Sequence, residues 1–156
     1  MVERDLEALL EEHPFFEGMS TAYRALIAGC GRNVRFDEGA VIATTGEAAD
    51  RFFAIRHGRV SIELHAPGRG PLVLQTAEAG EIIGWSWLFP PHRWTFDLRA
   101  IETVRAISFD GTCLRGKCDK DPAMGYEFMQ RFSRVFLHRL EAARLQLLDL
   151  YGNPSR

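Results

Sequence analysis

The sequence predicts a mainly β domain of the jelly-roll type with helices on both flanks. Short runs of β-branched and aromatic residues, separated by glycine, fill the middle of the chain, which is typical of an antiparallel barrel or jelly roll. Helical periodicity is confined to the two ends of the chain. The 156 residues are 46% hydrophobic and 26% charged, which is sufficient for one domain with its own core.

Residues 1–31 are expected to form short N-terminal helices of that same domain. Leucines recur at helical spacing within an acidic segment that Pro14 ends. Ser20 is a suitable N-cap for a second short helix, which would end at Gly29.

Six runs within residues 32–110 have the composition of β-strands. In chain order they are Asn33–Phe36, Ala40–Thr44, Arg51–Arg56, Arg59–His65, Pro71–Thr76 and Asp97–Phe109. Gly68-Arg69-Gly70 lies between two of these runs and predicts a hairpin tip. Strands this short and this closely spaced favour a rolled β-structure over a flat sheet.

Residues 111–156 are expected to be helical and to contain one long helix over residues 121–151. Asp121 is a suitable N-cap with Pro122 in the first helical position, and Gly152-Asn153-Pro154 would end the helix. A helix of about thirty residues spans about 45 Å, more than a small barrel needs as its own cover. Its apolar residues recur at steps of three and four, which predicts the seam of a homodimer. The predicted seam comprises Met129, Phe132, Phe136, Leu140, Ala143 and Leu147.

Charge and cysteine content exclude several classes of protein. Nineteen basic and twenty-one acidic side chains give a net charge of -2, so no overall positive field would attract nucleic acid. No apolar run approaches the ~20 residues that a membrane span needs. The three cysteines stand at no metal-binding spacing and predict unpaired core thiols in a reducing cytoplasm. Acidic residues interleave with the arginines of the long helix, Arg139 among them, which predicts a solvated, ion-paired face.

Three glycine-hydrophobic motifs carry a resemblance to a known family. They are Phe36-x2-Gly39-x2-Ile42-x3-Gly46, Phe53-x-Ile55-x2-Gly58-x-Val60 and Gly80-x3-Gly84. These motifs, with the order of short helices, β-region and long helix, resemble the cyclic nucleotide-binding domain of the catabolite-activator type. The resemblance implies a double-stranded β-roll, a ligand-binding cassette at residues 80–96 and a last helix that forms the dimer seam.

In that family the last helix leads into a DNA-binding helix-turn-helix module. Five residues follow Tyr151 here, which leaves no room for such a module. We therefore expect a non-catalytic regulatory or sensor module without a DNA-binding domain.

The cassette departs from the family pattern at its two ligand-anchoring positions. The resemblance implies a Glu that binds the ribose hydroxyl and an Arg that pairs with the cyclic phosphate. Trp85 stands at the Glu position and Trp94 at the Arg position, while Arg93 is adjacent and could substitute for the missing Arg. Each charge-assisted hydrogen bond contributes about 1.5–3 kcal/mol, so the loss of both moves micromolar binding towards millimolar. The sequence thus predicts that cyclic AMP is not bound with high affinity.

The candidate ligand is a cyclic nucleotide or another small planar molecule, because indoles can stack on flat rings. The candidate ligand-binding residues are Gly84, Trp85, Ser86, Trp87, Leu88, Arg93, Trp94 and Thr95. Two other hypotheses also explain the three tryptophans. Their indoles could fill the nucleotide cavity and leave an interaction or scaffold subunit that binds no ligand. Alternatively, they could face outward with Pro90-Pro91 as a loop that binds a partner protein.

A cupin-type metalloenzyme is the third hypothesis for a jelly-roll chain. Such a site needs clustered ligands, for example two histidines one residue apart with a Glu nearby. His57 and His65 are eight residues apart and have no such companions. We therefore predict neither a metal ligand nor a catalytic residue.

Overall fold

Two four-stranded antiparallel sheets lie at the centre of the structure, a computed structural model that describes residues 5–152. The strands are β1 (Gly31–Phe36), β2 (Val41–Ala43), β3 (Arg51–His57), β4 (Arg59–Ala66), β5 (Gly70–Glu78), β6 (Ile82–Ile83), β7 (Asp97–Ala100) and β8 (Val104–Asp110). The helices are α1 (Leu6–Glu12), α2 (Thr21–Ala28), α3 (Gly111–Lys120) and α4 (Pro122–Tyr151). Single 3₁₀ turns occur at Pro14–Phe16 and Ser86–Leu88.

The strand order confirms the predicted β-roll. One sheet has the order β1-β8-β3-β6 and the other β2-β7-β4-β5, so the chain passes repeatedly from one sheet to the other. The predicted hairpin at Gly68-Arg69-Gly70 joins β4 to β5, whose register pairs Ala66 with Gly70. The run Asp97–Phe109 is two strands rather than one, and β6 has no counterpart among the six predicted runs.

Strand β3 is buried on both of its faces. Successive side chains of a strand point to opposite faces, so Phe52 and Ala54 share one side while Phe53 and Ile55 share the other. Phe52 and Ala54 pack among residues of the helices, whereas Phe53 and Ile55 pack between the two sheets. The structure therefore has a helix-side core and a roll core, which β3 separates.

Helix boundaries follow the predicted capping signals. The Ser20 hydroxyl accepts a hydrogen bond from the backbone N–H of Tyr23, and the Asp121 carboxylate accepts one from that of Met124. Gly152 directly follows α4, whereas Asn153 and Pro154 lie outside the described residues. Among residues 5–152, no helix is long and apolar enough to cross a membrane.

Phe132, one of the six positions of the predicted dimer seam, faces the chain's own core instead. Phe132 is fully buried in the helix-side core, and Phe136 packs against Phe132 and Trp85. The long apolar stripe of α4 thus serves two purposes, since its inner edge covers the chain's own core. Met129, Leu140 and Leu147 remain exposed on the outer edge.

The structure corrects the prediction that all three cysteines are unpaired core thiols. Cys30 and Cys113 form a disulfide with their Cα atoms 5.7 Å apart, and Cys118 is the free cysteine of the described residues. The pairing spans 83 residues and depends on the neighbouring strands β1 and β8, which bring the end of α2 beside the start of α3. Sequence spacing cannot reveal such a long-range contact.

His13 links the N-terminal segment to β3. Its Nε2 lies 3.0 Å from the Ile55 carbonyl, and its Nδ1 accepts a hydrogen bond from the Phe15 N–H. These partners require the neutral Nε2–H tautomer. Burial lowers the pKa of His13 below its ordinary value of 6.5; the Ile55 carbonyl opposes this effect and the charge of Arg56 reinforces it.

We expect the Cys30→Ser substitution to destabilise the protein more under oxidising than under reducing conditions. Loss of a native disulfide typically costs about 2–5 kcal/mol, which corresponds to roughly 6–15 °C in Tm for a chain of this size. Thermal unfolding with and without reductant measures the effect, and Cys118→Ser is the matched control with an unchanged Tm. A wild-type Tm that does not respond to reductant would contradict the assignment.

We also expect the stability of the protein to fall at acidic pH because of His13. Unfolded His13 binds its proton more tightly than folded His13, so the free energy of unfolding decreases as pH falls below 6.5. Urea unfolding across this range should show a weaker pH dependence for His13→Gln than for the wild type. The exposed His57→Gln is the control and should keep the wild-type slope; an equal slope for His13→Gln would refute the role of His13.

Candidate functional site

The cassette at residues 80–96 connects β5 to β7. β6 ends at Ile83, and Gly84 follows with φ of +96°, a conformation that favours glycine. The 3₁₀ turn over Ser86–Leu88 stands where the resemblance predicts a short helix. A loop that contains Pro90 and Pro91 then returns the chain to β7.

Trp94 fills the space beside Gly84. Its indole is 9% exposed and stacks on Phe53, with ring centroids 6.5 Å apart. A Cβ atom at Gly84 would lie only 2.8 Å from Cη2 of Trp94, so the indole rests directly on the glycine. The cavity that remains there is about 30 Å³, whereas ligand pockets are about 300–1,000 Å³. That volume accommodates about one water molecule.

The structure brings together four of the eight predicted ligand-binding residues. Gly84, Trp85, Ser86 and Trp94 line the small cavity. The other four residues lie elsewhere. Trp87 and Leu88 pack in the helix-side core, and Arg93 and Thr95 are on the surface.

Arg93 does not replace the missing phosphate-binding Arg. Its Nη1 donates to the carbonyl of Gly46 at 2.8 Å, and the side chain lines neither the small cavity nor its neighbours. The residue extends along the loop before β3, because its backbone bridges to Ala48. In this structure Arg93 therefore lies away from the cavity beside Gly84.

The tryptophans do not form an outward-facing patch. Trp87 stacks on Phe52 at 5.0 Å and is fully buried, and Trp94 is buried in the roll core. Trp85 is partly buried and meets Phe136 edge to face at 5.6 Å. The exposed apolar residues of the loop are instead Phe89, Pro90 and Pro91.

A second cavity, of about 540 Å³, lies between β5 and α4 next to the small one. Most of its walls are apolar, and Trp85 and Phe96 line both cavities. The other apolar lining residues are Ile62, Leu74, Phe89, Phe136, Leu140 and Ala143. The polar lining residues are Gln75, Arg139 and Gln146. Its volume falls within the range of small-molecule sites.

Arg139 is buried, contrary to the prediction that it belongs to a solvated face. The residue is 7% exposed, and its Nη1 donates to Oε1 of Gln75 at 3.3 Å and to the Thr76 carbonyl at 3.4 Å. Its Nη2 lies 3.5 Å from Oε1 of Glu81 and has no hydrogen-bond partner among the described residues. Burial lowers the pKa of the guanidinium, and the Glu81 carboxylate opposes that shift.

A signal for Arg139 was present in the sequence. Residues seven apart on an α-helix differ by about 20° around its axis, so Arg139 shares the face of Phe132. Ala143 and Gln146 continue that face along the cavity. By contrast, Gln75 lies on a β-strand whose pairing with the helix only the fold reveals.

Side-chain hydrogen bonds hold α4 against β5 and the cassette. The Gln75 amide donates to the Arg139 carbonyl at 3.2 Å, and the Gln146 amide donates to the Leu74 carbonyl. Glu81, at the start of the cassette, accepts from the Glu78 N–H and lies 3.3 Å from Nε2 of His138. Glu81 therefore connects the cassette to α4 through both His138 and Arg139.

The third hypothesis, a cupin-type metal centre, has no candidate ligand set within residues 5–152. No group of three or more histidine, cysteine, aspartate or glutamate side chains lies close enough there to hold a metal ion.

Comparisons with known proteins identify the family. The model of the cyclic nucleotide-binding domain family matches residues 33–121, which is more than half of the chain. The CRP-like cAMP-activated global transcriptional regulator of Mycobacterium tuberculosis is 27% identical over 145 residues, a stretch that covers 93% of this chain. The matched stretch spans 63% of the regulator's own length.

Solved structures give the same result. A putative cyclic nucleotide-binding protein from Geobacter metallireducens is 25% identical with a TM-score of 0.76, over 90% of this chain and 99% of the other. A cyclic nucleotide-binding domain from Methylobacillus flagellatus shares the fold with a TM-score of 0.78, at 15% identity over 93% of this chain and 82% of the other. With the β-roll, the cassette and the long helix in their expected order, the chain belongs to the cyclic nucleotide-binding domain family.

Proposed function

We propose that this domain is a non-catalytic sensor that binds a small ligand other than cyclic AMP between β5 and α4. The observation that carries the proposal is the position of Trp94, which occupies the space beside Gly84 and leaves about 30 Å³. The neighbouring cavity of about 540 Å³ provides space for a ligand.

Weak binding of cyclic AMP follows from the charges near Gly84. A cyclic phosphate needs a cation and hydrogen-bond donors close to the cassette turn. Among the described residues that line the small cavity, Arg139 is the charged one, and it approaches from α4 rather than from the cassette. Trp85 and Trp94 each have a single indole N–H donor and no charge.

A ligand in the larger cavity would act on α4. The helix forms one wall of the cavity through Phe136, Leu140 and Ala143, while the cassette forms another through Trp85 and Phe89. A ligand that binds one position of α4 more tightly than another shifts the population towards that position. The mechanism resembles the helix shifts by which other sensors transmit occupancy.

We further propose that α4 pairs with the same helix of a second copy. Met129, Leu140 and Leu147 lie within about 20° of one another around the helix on one exposed edge, and Leu147 is 53% exposed. This edge replaces the predicted seam, in which Phe132 and Phe136 face inward. Exposed leucines in such a row are typical of a covered interface.

The alternative is an interaction or scaffold subunit that binds no small ligand. Trp94 supports this alternative because its indole fills the nucleotide subsite. The exposed Phe89 beside Pro90 and Pro91 offers a surface for a partner protein. The two functions differ in whether the cavity between β5 and α4 admits a molecule.

We expect calorimetric titration with cyclic AMP to give a Kd in the millimolar range. The same protein should bind phenylnaphthylamine, a neutral aromatic fluorophore, because the cavity between β5 and α4 is largely apolar. The variant Ala143→Trp, which fills that cavity, should lose the fluorophore.

Two results would contradict this proposal in different ways. Micromolar binding of cyclic AMP would refute the proposed ligand selectivity. If neither compound binds, the scaffold alternative is favoured and the sensor function is refuted.

We expect Leu147→Glu to convert a dimer into a folded monomer, because a carboxylate cannot be buried at the paired edge without a partner. Phe132→Ala should instead lower the free energy of unfolding by about 3–5 kcal/mol, since it opens a cavity in the helix-side core. Sedimentation equilibrium and urea unfolding distinguish the two effects. Arg134→Glu, an exposed position on another face of α4, is the control; a Leu147→Glu protein that remains dimeric would refute the proposed seam.

A further inference from the structure

We propose that the cavity between β5 and α4 binds an apolar ligand with a single negative charge, and that Arg139 is the counter-ion of that ligand. The inference rests on the proposed function, because it requires that the cavity admits a ligand. It adds the chemical class of the ligand, which neither the family nor the cassette provides.

The walls of the cavity favour a flat, apolar body. Trp85 meets Phe96 and Phe136 edge to face, with ring centroids 6.5 and 5.6 Å apart. Leu74 and Leu140 contribute aliphatic surface. A polar sugar would lose its water in such surroundings without gaining equivalent hydrogen bonds.

The one charged residue among the described residues that line this cavity is cationic. A buried guanidinium is stable only when it is paired and hydrogen-bonded. Arg139 has one ion-pair partner on the cassette, Glu81, at 3.5 Å, which is longer than the ~2.7–2.9 Å of a good charge-assisted hydrogen bond. Its Nη2 is buried facing Glu81 and has no hydrogen-bond partner in the described part of the chain, so this donor becomes available to a ligand oxygen when the contact with Glu81 opens.

The neighbouring polar groups do not compete for that role. The amide N–H groups of Gln75 and Gln146 already donate to backbone carbonyls, and Oε1 of Gln75 accepts from Arg139. Because Glu81 already balances the charge of Arg139, a ligand anion pairs with the guanidinium in exchange for that carboxylate, and a second ligand charge would be uncompensated between apolar walls. A carboxylate or sulfonate on an aromatic body therefore fits better than a phosphate monoester.

The same arrangement connects ligand binding to the cassette. An anion at Arg139 competes with Glu81 for the guanidinium, and Glu81 is also bonded to the backbone at Glu78. Occupancy of the cavity would thus weaken a contact between α4 and the start of the cassette.

Two fluorophores with the same aromatic body test the inference. Anilinonaphthalene sulfonate carries one negative charge, and phenylnaphthylamine is its neutral counterpart. We expect Arg139→Gln to weaken binding of the sulfonate by about tenfold or more, while its affinity for the neutral compound changes by less than about twofold. Ala143→Trp, which fills this cavity, should abolish binding of both compounds and so place them there.

Two further variants keep the test informative if Arg139→Gln is unstable. Glu81→Gln removes the competing carboxylate and should strengthen binding of the sulfonate several-fold without affecting the neutral compound. Arg134→Gln makes the same charge change on an exposed part of α4 and should affect neither affinity. Near-ultraviolet circular dichroism confirms that each variant is folded.

The outcomes separate the inference from the proposed function. If both compounds bind and neither Arg139→Gln nor Glu81→Gln alters the affinity for the sulfonate, the role of Arg139 is refuted while the sensor proposal stands. If neither compound binds the wild type, the proposed function fails and the inference fails with it.

Discussion

The burial of β3 on both faces is the constraint on which the cassette and its cavities depend. Phe52 and Phe53 point to opposite sides of this strand, and each is covered by a tryptophan of the cassette. Trp87 stacks on Phe52 in the helix-side core, and Trp94 stacks on Phe53 in the roll core. An indole buries about 150–250 Å². The cassette is therefore attached to β3 from both sides by large apolar contacts. The position of Trp94 that closes the nucleotide subsite is thus part of the packing of the domain.

Because of this packing, the space that could hold a ligand lies at the interface with α4 rather than beside the cassette turn. Trp94 occupies the place beside Gly84, and the larger cavity opens beyond Trp85, where aromatic rings meet without filling the gap. Burial of Arg139 at this boundary costs free energy unless the guanidinium is compensated. Glu81 and Gln75 compensate it only in part, so the interface combines an apolar volume with a cation that has donor capacity left.

Sequence signals that involve a few consecutive residues predicted the fold well. Contacts between residues distant in the chain were not predicted. Ser20 and Asp121 cap helices as expected because capping depends on a few consecutive residues. The double-stranded β-roll and the family followed from glycine motifs that need no knowledge of the tertiary structure. The disulfide of Cys30 with Cys113 was missed because its partners are distant in sequence and meet only when β1 pairs with β8.

The site was predicted in part, for a similar reason. Residues around Gly84 are contiguous in the chain, so the small cavity could be placed on the cassette. The larger cavity joins β5 to α4, and Gln75 and Gln146 meet there only through the packing of the helix on the roll. Helical periodicity alone could not separate the two edges of the α4 stripe, so Phe132 was assigned to the seam and Arg139 to solvent. In both cases the missing information was which side of the helix the roll covers.

The two halves of α4 are held by different interactions, and the cavity lies beneath the weaker half. Phe128 and Phe132 fix the first half within a dense aromatic core, where displacement would open cavities at high cost. After Phe136 the contacts change to the hydrogen bonds of Gln75, Arg139 and Gln146, and residues 144–151 are exposed in the single chain. Segments with few buried apolar contacts open at lower free energy than core segments do. A ligand between β5 and α4 would therefore act where the helix can move. Because Leu140 both lines the cavity and lies on the exposed edge of the helix, the same movement would reach a second copy paired along that edge.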